Sequence, residues 1–214
     1  MNEPADADAG PGAAAWSDAV LAAALVAIDP AGLGGVCVRA GAGPVREAWL
    51  ELLRDFLPPG APLRRVPLHV SDERLLGGLD LAATLSAGRP VAERGLIAEA
   101  DGGLLVLAMA ERVTPGAAAR ITAALDAGEV VVERDGLAMR VPARVGVVAL
   151  DEGADAEERP PPALVERLAF AVDLGAASAR DLADEGPPPD AVEAARARLS
   201  RVTANDGLLE ALCA

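Results

Sequence analysis

A glycine-rich turn connects an apolar segment to a helical one in the first quarter of the chain. Gly35–Arg39 is a short β-rich run, Gly41 and Gly43 lie in the turn, and apolar residues then recur at helical spacing from Val45 to Phe56. A turn of this kind can bind phosphate, because its backbone N–H groups and the following helix N-terminus both attract anions. Two glycines also make an ordinary tight turn, so the pattern leaves both interpretations open.

The residues around this turn are poor ligands for a magnesium-bound nucleotide. A common phosphate-binding loop ends in Lys followed by Ser or Thr, whereas this chain has Arg46 followed by Glu47, and it contains no Lys at all. The apolar run Leu104–Leu107 continues into Ala108, where an ATPase has the acidic pair that binds Mg²⁺. Glu111 is the nearest carboxylate, and we expect it to be solvated at the start of a helix. The sequence therefore predicts no ATPase chemistry.

The other reactive residue types are isolated. His69 is the single histidine and lies in an apolar run, where a packed core or edge histidine is expected rather than a catalytic base, since no nucleophile motif accompanies it. One His with Cys37 and Cys213 cannot make a zinc cluster. A disulfide between the two distant cysteines is an alternative that nothing else in the sequence favours, so reduced thiols are expected. The acidic segment at 151–158 is expected to be a solvated loop.

The order of apolar and polar segments predicts an α/β domain with a mainly parallel sheet. Strands are predicted at Gly35–Arg39, 65–70, Leu104–Leu107, 144–150 and 169–174, and a β-hairpin at 129–133 and 137–141 around a turn at 134–136. Helices are predicted at 18–28, 45–56, 115–125 and 190–202. Thr114 and Pro115 begin the third of these helices, and Gly128 follows it.

Three regions are predicted along the chain. Residues 1–16 are rich in Ala, Asp, Gly and Pro and are expected to form a disordered tail, with Ser17 as the cap of the first helix. Residues 17–186 form the α/β core. Residues 187–214 begin with three prolines and are expected to start a small helical region, in a chain that looks cut short at Ala214.

Composition limits the partners. The chain has 214 residues, of which 52% are hydrophobic and 2% aromatic, and its formal net charge is −14. Such a charge repels nucleic acid and anionic membrane surfaces, so neither is an expected partner. The acidic start and the lack of a long uninterrupted apolar stretch favour neither a signal peptide nor membrane insertion, and a cytoplasmic protein is expected.

A series of motifs spanning roughly residues 35–181 resembles a known family. The motifs are LLGGLDL at 75–81, GRP at 88–90, ERGLIAEA at 93–100, GGLLV at 102–106, GEVVVERDGL at 128–137 and LVERL at 164–168. In this order they are similar to the AAA+ ATPase module of magnesium chelatase. The resemblance implies a P-loop-type AAA+ core with a mainly parallel sheet, helices on both faces, β-hairpin insertions and the start of a small C-terminal helical lid.

The resemblance also indicates one branch of that family. Its I-type subunits keep complete nucleotide-binding motifs, whereas its D-type subunits have a degenerate AAA+ module followed by an acidic, proline-rich linker and an integrin-I-like domain. Here residues 41–47 replace the Walker A motif, Leu107 and Ala108 replace the Walker B carboxylates, and residues 150–152 replace the sensor-1 Asn region. All three departures are typical of the D type.

Membership of that branch implies a role in a ligase of bacteriochlorophyll or chlorophyll synthesis, which uses ATP to insert Mg²⁺ into protoporphyrin IX. This chain would then be a non-hydrolysing platform between the ATPase I subunit and the porphyrin-binding H subunit. ATP and Mg²⁺ would be held by the partner I subunits. Gly41, Gly43 and Arg46 would mark a degenerate nucleotide loop, at which no cofactor is assigned.

Arg167 matches a family arginine near the subunit interface, and the resemblance implies an arginine finger acting in trans on a neighbour's ATP. The simpler interpretation is a surface arginine paired with Glu166 or another nearby acid. For the whole chain, the alternative is a MoxR-like pseudo-ATPase that acts as a chaperone or scaffold in metalloprotein maturation. An active hydrolase using Arg46 is disfavoured by the missing Lys and acidic pair.

Overall fold

The computed structural model has parallel strands at its centre and helices on both sides. It describes residues 10–134, 137–183 and 186–203. The helices are α1 (Pro11–Ile28), α2 (Pro44–Phe56), α3 (Asp72–Leu76), α4 (Leu81–Ala87), α5 (Leu96–Glu99), α6 (Pro115–Ala127), α7 (Pro162–Val165) and α8 (Pro189–Arg198). The strands are β1 (Gly35–Arg39), β2 (Leu63–Val66), β3 (Gly77–Leu79), β4 (Ala92–Arg94), β5 (Leu104–Leu107), β6 (Glu129–Arg134), β7 (Leu137–Pro142), β8 (Gly146–Asp151) and β9 (Phe170–Asp173).

The central sheet has the strand order β2-β5-β8-β1-β9, and all its neighbouring strands are parallel. Strands β5 and β8 are buried along their whole length, which explains their uninterrupted apolar sequences, since a strand covered on both faces has no solvent side. The α/β class and the parallel sheet predicted from the sequence are confirmed.

Helices cover the sheet on both faces, and alternate residues of one strand point into the two separate cores. Val36 and Val38 of β1 pack in one core with α1, α2 and α8. Cys37, between them, packs in the other core with α3, α5, α6 and α7. The predicted arrangement of helices on both faces follows from this alternation.

Small residues of α1 let it pack closely against α2. Ala19, Ala23 and Ala27 repeat every four residues and are completely buried. Trp49 of α2 is also completely buried, and its indole Nε1 donates a 2.8 Å hydrogen bond to the carbonyl oxygen of Ala19. By length and composition α1 could cross a membrane, but half of it is buried inside the fold. Its apolar sequence is therefore explained by this core.

The start of α1 differs from the prediction. The helix begins at Pro11 after Gly10, so Ser17 lies inside it and residues 11–16 are not part of a tail. Proline is well suited to the first turn of a helix, and the alanines that follow are strong helix formers. Trp16 then packs in the core with 3% exposure, which holds this first part of the helix in place. Residues 1–9 lie outside the described part of the chain.

The second predicted strand is shifted and shorter. Strand β2 covers Leu63–Val66 instead of 65–70, because Pro67 has no N–H group with which to continue the ladder. His69 consequently lies in an exposed turn, and the prediction that it packs in a strand was wrong. The β6–β7 hairpin is confirmed; of its predicted turn, residues 135 and 136 lie outside the described residues. The short β3–β4 pair encloses α4 and forms a further insertion.

The last described helix, α8, is joined to the first two. Val192 is buried in the core formed with α1 and α2. Arg196 donates hydrogen bonds to the carbonyl oxygens of Ala27 and Phe56, at 2.9 and 2.7 Å, in the last turns of α1 and α2. A cation at two helix C-termini interacts favourably with both helix dipoles. The boundary of a separate helical region at residue 187 stays a prediction, and residues 204–214 lie outside the described part.

Burial changes the acidity of the Cys37 thiol. The side chain is 8% exposed within the parallel sheet. Burial, and secondarily the negative charge of Asp151, raises the pKa of Cys37 to about 11. The thiol is therefore protonated and unreactive in the folded chain at neutral pH.

The raised pKa of Cys37 predicts a pH dependence of the free energy of unfolding that no titration of Lys or Tyr obscures. The chain has no Lys and no Tyr, so cysteines are the side chains that titrate between about pH 9 and pH 11. In a Cys213→Ser background, the free energy of unfolding should fall across this interval, because the unfolded thiol ionises while the folded one stays protonated. Urea denaturation at several pH values measures the fall. The matched Cys37→Ala variant should lack it, and equal pH slopes in both proteins would contradict the assignment.

Candidate active-site edge

The carboxyl ends of β1, β5 and β8 meet at one edge of the sheet, which is where ligands bind in open α/β folds. Strand β1 leads through residues 40–43 into α2, and β5 leads through Met109 into a 3₁₀ turn at Ala110–Arg112. Strand β8 ends at Asp151 and is followed by an acidic loop. The residues that could bind a nucleotide are therefore collected at this edge.

A buried carboxylate fixes the end of the central strands. Asp151 is 1% exposed, and its Oδ2 lies 2.7 Å from Nη1 of Arg39 and 3.3 Å from Nη1 of Arg159. Arg39 also donates through Nη2 to the carbonyl oxygens of Gly153 and Asp155. The prediction of a solvated acidic loop was wrong for Asp151, because β8 pairs with β1 in a register that places Asp151 opposite Arg39.

Arg46 lies in the first turn of α2 and faces the loop after β8. Its side chain is 12% exposed, and Nη1 lies 2.9 Å from Oε1 of Glu152. Nη2 donates a 3.2 Å hydrogen bond to Glu47. Among the described residues, neither Nε nor Nη1 has an acceptor in hydrogen-bond geometry, so Nη1 is held by charge alone. The guanidinium is thus neutralised by the chain itself and keeps unused donors.

The segment after β5 is connected to the same loop. Oε2 of Glu111, whose side chain is 4% exposed, accepts a 2.9 Å hydrogen bond from the backbone N–H of Glu152. The Glu152 carboxylate in turn accepts a longer one, 3.4 Å, from the N–H of Met109. Met109 has φ 49°, in the left-handed region that a side chain disfavours. The prediction of a solvated Glu111 was wrong, because its carboxylate turns inward to this loop.

These side chains do not fit a magnesium-bound nucleotide. Leu107 is buried and Ala108 has no side-chain oxygen, so the end of β5 supplies no carboxylate for Mg²⁺. Within the described part of the chain, no group of three His, Cys, Asp or Glu side chains could hold a metal ion. A Cβ added at Gly41 or Gly43 would meet nothing within 4 Å, so neither position requires glycine for lack of space.

Arg167 lies away from this edge. It follows α7 and precedes β9, and its backbone contacts the residues before β1, at the amino-terminal edge of the sheet. Nε and Nη2 donate to the Asp126 carboxylate at 3.0 Å, and Nη1 donates to the carbonyl oxygen of Ala163. The hydrogen bonds to Asp126 raise the pKa of the guanidinium. Gly43 and Arg46 therefore lie together at the start of α2, whereas Arg167 lies at the opposite edge of the sheet.

Sequence reasoning missed the partners of Arg46 and Asp151. The sequence predicts a solvated loop around Glu152, and it gives Arg39 no role in the site. One signal was available: an apolar strand that ends in Arg39 and another that ends in Asp151 place opposite charges at the same edge if the strands are parallel neighbours. The strand order decides this, and the sequence does not give it.

The comparisons with known proteins agree with the predicted family. No family model matches the chain. The magnesium-chelatase 60 kDa subunit of Cereibacter sphaeroides is 43% identical over 187 residues, which cover 87% of this chain and 30% of that protein. The corresponding subunit of Rhodobacter capsulatus is 37% identical over 83% of this chain and 28% of its own length. The chain is a homologue of the D-type magnesium-chelatase subunits. It spans less than a third of these relatives.

More distant relatives and solved structures support the same fold for this homologue. The magnesium-chelatase 38 kDa subunit of Rhodobacter capsulatus is 29% identical over 73% of the chain and 53% of that protein. A structure of the complex between the BchI and BchD subunits of magnesium chelatase matches 94% of this chain and 70% of the other, with a TM-score of 0.59 and 27% identity. A putative ATPase from Cytophaga hutchinsonii, at 12% identity, covers 92% of this chain and 65% of its own with a TM-score of 0.58, and shows the fold alone. The AAA+ fold is confirmed.

The buried ion pair predicts a large loss of stability when one partner is removed. Arg39→Met should lower the free energy of unfolding by about 3 kcal/mol, because the buried Asp151 carboxylate loses its nearer cation and keeps the more distant Arg159 and the N–H of Gly153. Urea denaturation measures the change. Arg159→Met, at a half-exposed position, is the matched control and should cost less. Adding Asp151→Asn to Arg39→Met should recover part of the loss, and strictly additive effects would contradict the pairing.

Proposed function

We propose that this chain is the AAA+ module of a D-type magnesium-chelatase subunit, and that it acts without hydrolysing ATP itself. The observation that carries the proposal is the composition of the sheet edge, where Arg46 faces Glu152 and β5 ends in Leu107 without a carboxylate. The 43% identity with a magnesium-chelatase 60 kDa subunit supports the family role. The assembled enzyme would insert Mg²⁺ into protoporphyrin IX in an ATP-dependent reaction.

The absence of hydrolysis follows from the needs of phosphoryl transfer. That reaction requires a cation on the β- and γ-phosphates, a held Mg²⁺ and a group that orients water. In this chain the guanidinium of Arg46 is neutralised by Glu152 and Glu47. A carboxylate at position 47 also replaces the hydroxyl that would bind Mg²⁺. Each missing group acts on a different part of the transition state, so their losses combine.

A module that does not hydrolyse ATP needs a neighbour that does. We propose that I-type subunits hold ATP and Mg²⁺ beside this chain in a ring of AAA+ modules, and that the chain passes their movements to the porphyrin-binding H subunit. The likeness to a chain in the BchI–BchD complex supports the first partner. The complex would act in the cytoplasm, and neither nucleic acid nor membrane insertion has a role in it.

The position of Arg167 supports its proposed role as an arginine finger for a neighbouring subunit. It lies at the amino-terminal edge of the sheet, opposite the chain's own degenerate loop, and its side chain is 36% exposed. Arginine fingers stabilise charge that develops on the γ-phosphate of another subunit. To do so, Arg167 would have to exchange the Asp126 carboxylate for phosphate oxygens. Both groups accept two parallel N–H bonds from arginine, so the exchange keeps the same geometry.

The proposal predicts an inactive chain that binds an active partner. The purified chain should release no phosphate from ATP with Mg²⁺ present, because it lacks the required ligands. With the I-type subunit and nucleotide, light scattering should detect a complex that hydrolyses ATP. Arg46→Met is the control for any residual activity. Metal-dependent hydrolysis by the isolated chain that Arg46→Met removes, or the failure to form a complex, would contradict the proposal.

The trans role of Arg167 has its own test in the assembled complex. Arg167→Ala should lower ATP turnover at the site it serves by about 10³-fold or more, while unaffected sites between I subunits dilute the bulk effect. Arg120→Ala is the matched control, since Arg120 is also exposed and also pairs with one aspartate, Asp72. Assembly is checked separately by light scattering. Normal assembly with unchanged ATPase and chelation rates would show that Arg167 only pairs with Asp126.

A further inference from the structure

The last turn of α6 carries a carboxylate that the helix itself does not favour. Asp126 is the penultimate residue of α6, where the helix dipole makes a negative charge unfavourable. Its side chain is 54% exposed, so burial does not hold it in place either. Within the described part of the chain, Arg167 is its one cationic partner. The position of this carboxylate is therefore explained by the arginine that it binds.

The contact between Asp126 and Arg167 occupies one whole edge of the guanidinium. Nε lies 3.0 and 3.1 Å from the two Asp126 oxygens, and Nη2 donates to Oδ2 at 3.0 Å. Nη1 donates to the carbonyl oxygen of Ala163 at 2.9 Å. The paired donors Nε and Nη2 are the ones that recognise a phosphate as well as a carboxylate. While Asp126 holds them, this edge is closed to a phosphate.

The backbone at Arg167 is fixed, so a change of partner involves the side chain alone. Leu164 and Leu168 are 0% and 9% exposed in the core, on either side of the arginine. A Cβ added at Gly34 would lie 2.0 Å from the Arg167 carbonyl oxygen, so the segment before β1 packs directly against this backbone. The ion pair itself lies at the surface, where water weakens it. An anion of higher charge can therefore displace Asp126 by rotation of the arginine side chain.

We infer that Asp126 is a positioning residue, which holds Arg167 in a resting conformation and competes for it with the γ-phosphate of ATP on a neighbouring subunit. Without the neighbour, Asp126 keeps the guanidinium on α6. With the neighbour in place, the more highly charged phosphate takes the same two donors, and the carboxylate is released to water. This inference deepens the proposed role of Arg167 and rests on it. It explains why an arginine suited to act on a partner is paired within its own chain.

The resting contact is tested on the purified chain with phenylglyoxal, which modifies unprotonated guanidine groups. Asp126→Asn should speed the modification of Arg167 by about two- to fivefold, because the hydrogen bonds that raise the pKa of this guanidinium and cover its edge are weakened. Peptide mass spectrometry measures the rate at each arginine. Arg120 is the matched control, since its hydrogen bond to Asp72 likewise raises its pKa. Its rate should change in Asp72→Asn and not in Asp126→Asn.

The competition is tested in the complex assembled with the I-type subunit. Asp126→Asn should raise the maximal ATP turnover by about two- to fivefold at the site that Arg167 serves, with little change in the KM for ATP, because a finger acts on the transition state. Asp126→Glu restores a carboxylate and should remove most of this gain. Arg167→Ala should remove it entirely, and Asp72→Asn should give none. A merely structural role of Asp126 would instead lower turnover or assembly.

Three results would overturn the inference: an unchanged modification rate of Arg167 in Asp126→Asn, no rise in turnover in a variant that assembles normally, or a gain that survives Arg167→Ala. If Asp126→Asn does not fold, Asp126→Ser replaces it at this exposed position. Loss of turnover in Arg167→Ala without a gain in Asp126→Asn rejects the inference and leaves the arginine finger standing. Unchanged turnover in Arg167→Ala, or the failure to form a complex, rejects the inference together with the proposed function on which it rests.

Discussion

The whole carboxyl edge of the sheet depends on compensating one buried charge. Asp151 ends the central strand β8 at 1% exposure, and an ionised carboxylate at such a place is stable only with cations and donors around it. Arg39 supplies the main contact, and its second nitrogen binds the backbone of the loop that follows. This fixes the course of the loop and brings Glu152 to Arg46. The geometry of the degenerate site is thus a consequence of the requirement at Asp151.

Ion pairs within the chain occupy the carboxyl edge of the sheet. In this respect the edge differs from a nucleotide site that has only lost some of its ligands. A site that had only lost its ligands would leave Arg46 unpaired and the segment after β5 unsupported. Here Glu152 and Glu111 are turned into the edge and hold these parts together. The opposite edge carries Arg167, which is partly exposed and paired with a single aspartate. The two edges therefore differ in their surroundings, since Arg46 pairs with Glu152 inside the carboxyl edge whereas Arg167 is partly exposed.

Much of the fold was predictable because local rules and burial agree. The apolar runs of β1 and β5 indicate strands covered on both faces, and Thr114 with Gly128 marks both ends of α6 through capping. The prediction failed where local composition was ambiguous. The Ala- and Pro-containing segment at 11–16 resembles a tail, and only the packing of Trp16 shows that it continues α1.

The sequence by itself determined which residue types are absent from the candidate site, since the lack of Lys, of a hydroxyl at position 47 and of carboxylates at positions 107 and 108 can be read without the fold. Tertiary structure alone decided which charges meet. Asp151 is 112 residues from Arg39, and Asp126 is 41 from Arg167. In a chain with 33 acidic residues, each arginine has many candidate partners. Ion pairs over such distances are set by strand order and register, because these determine which loops share an edge.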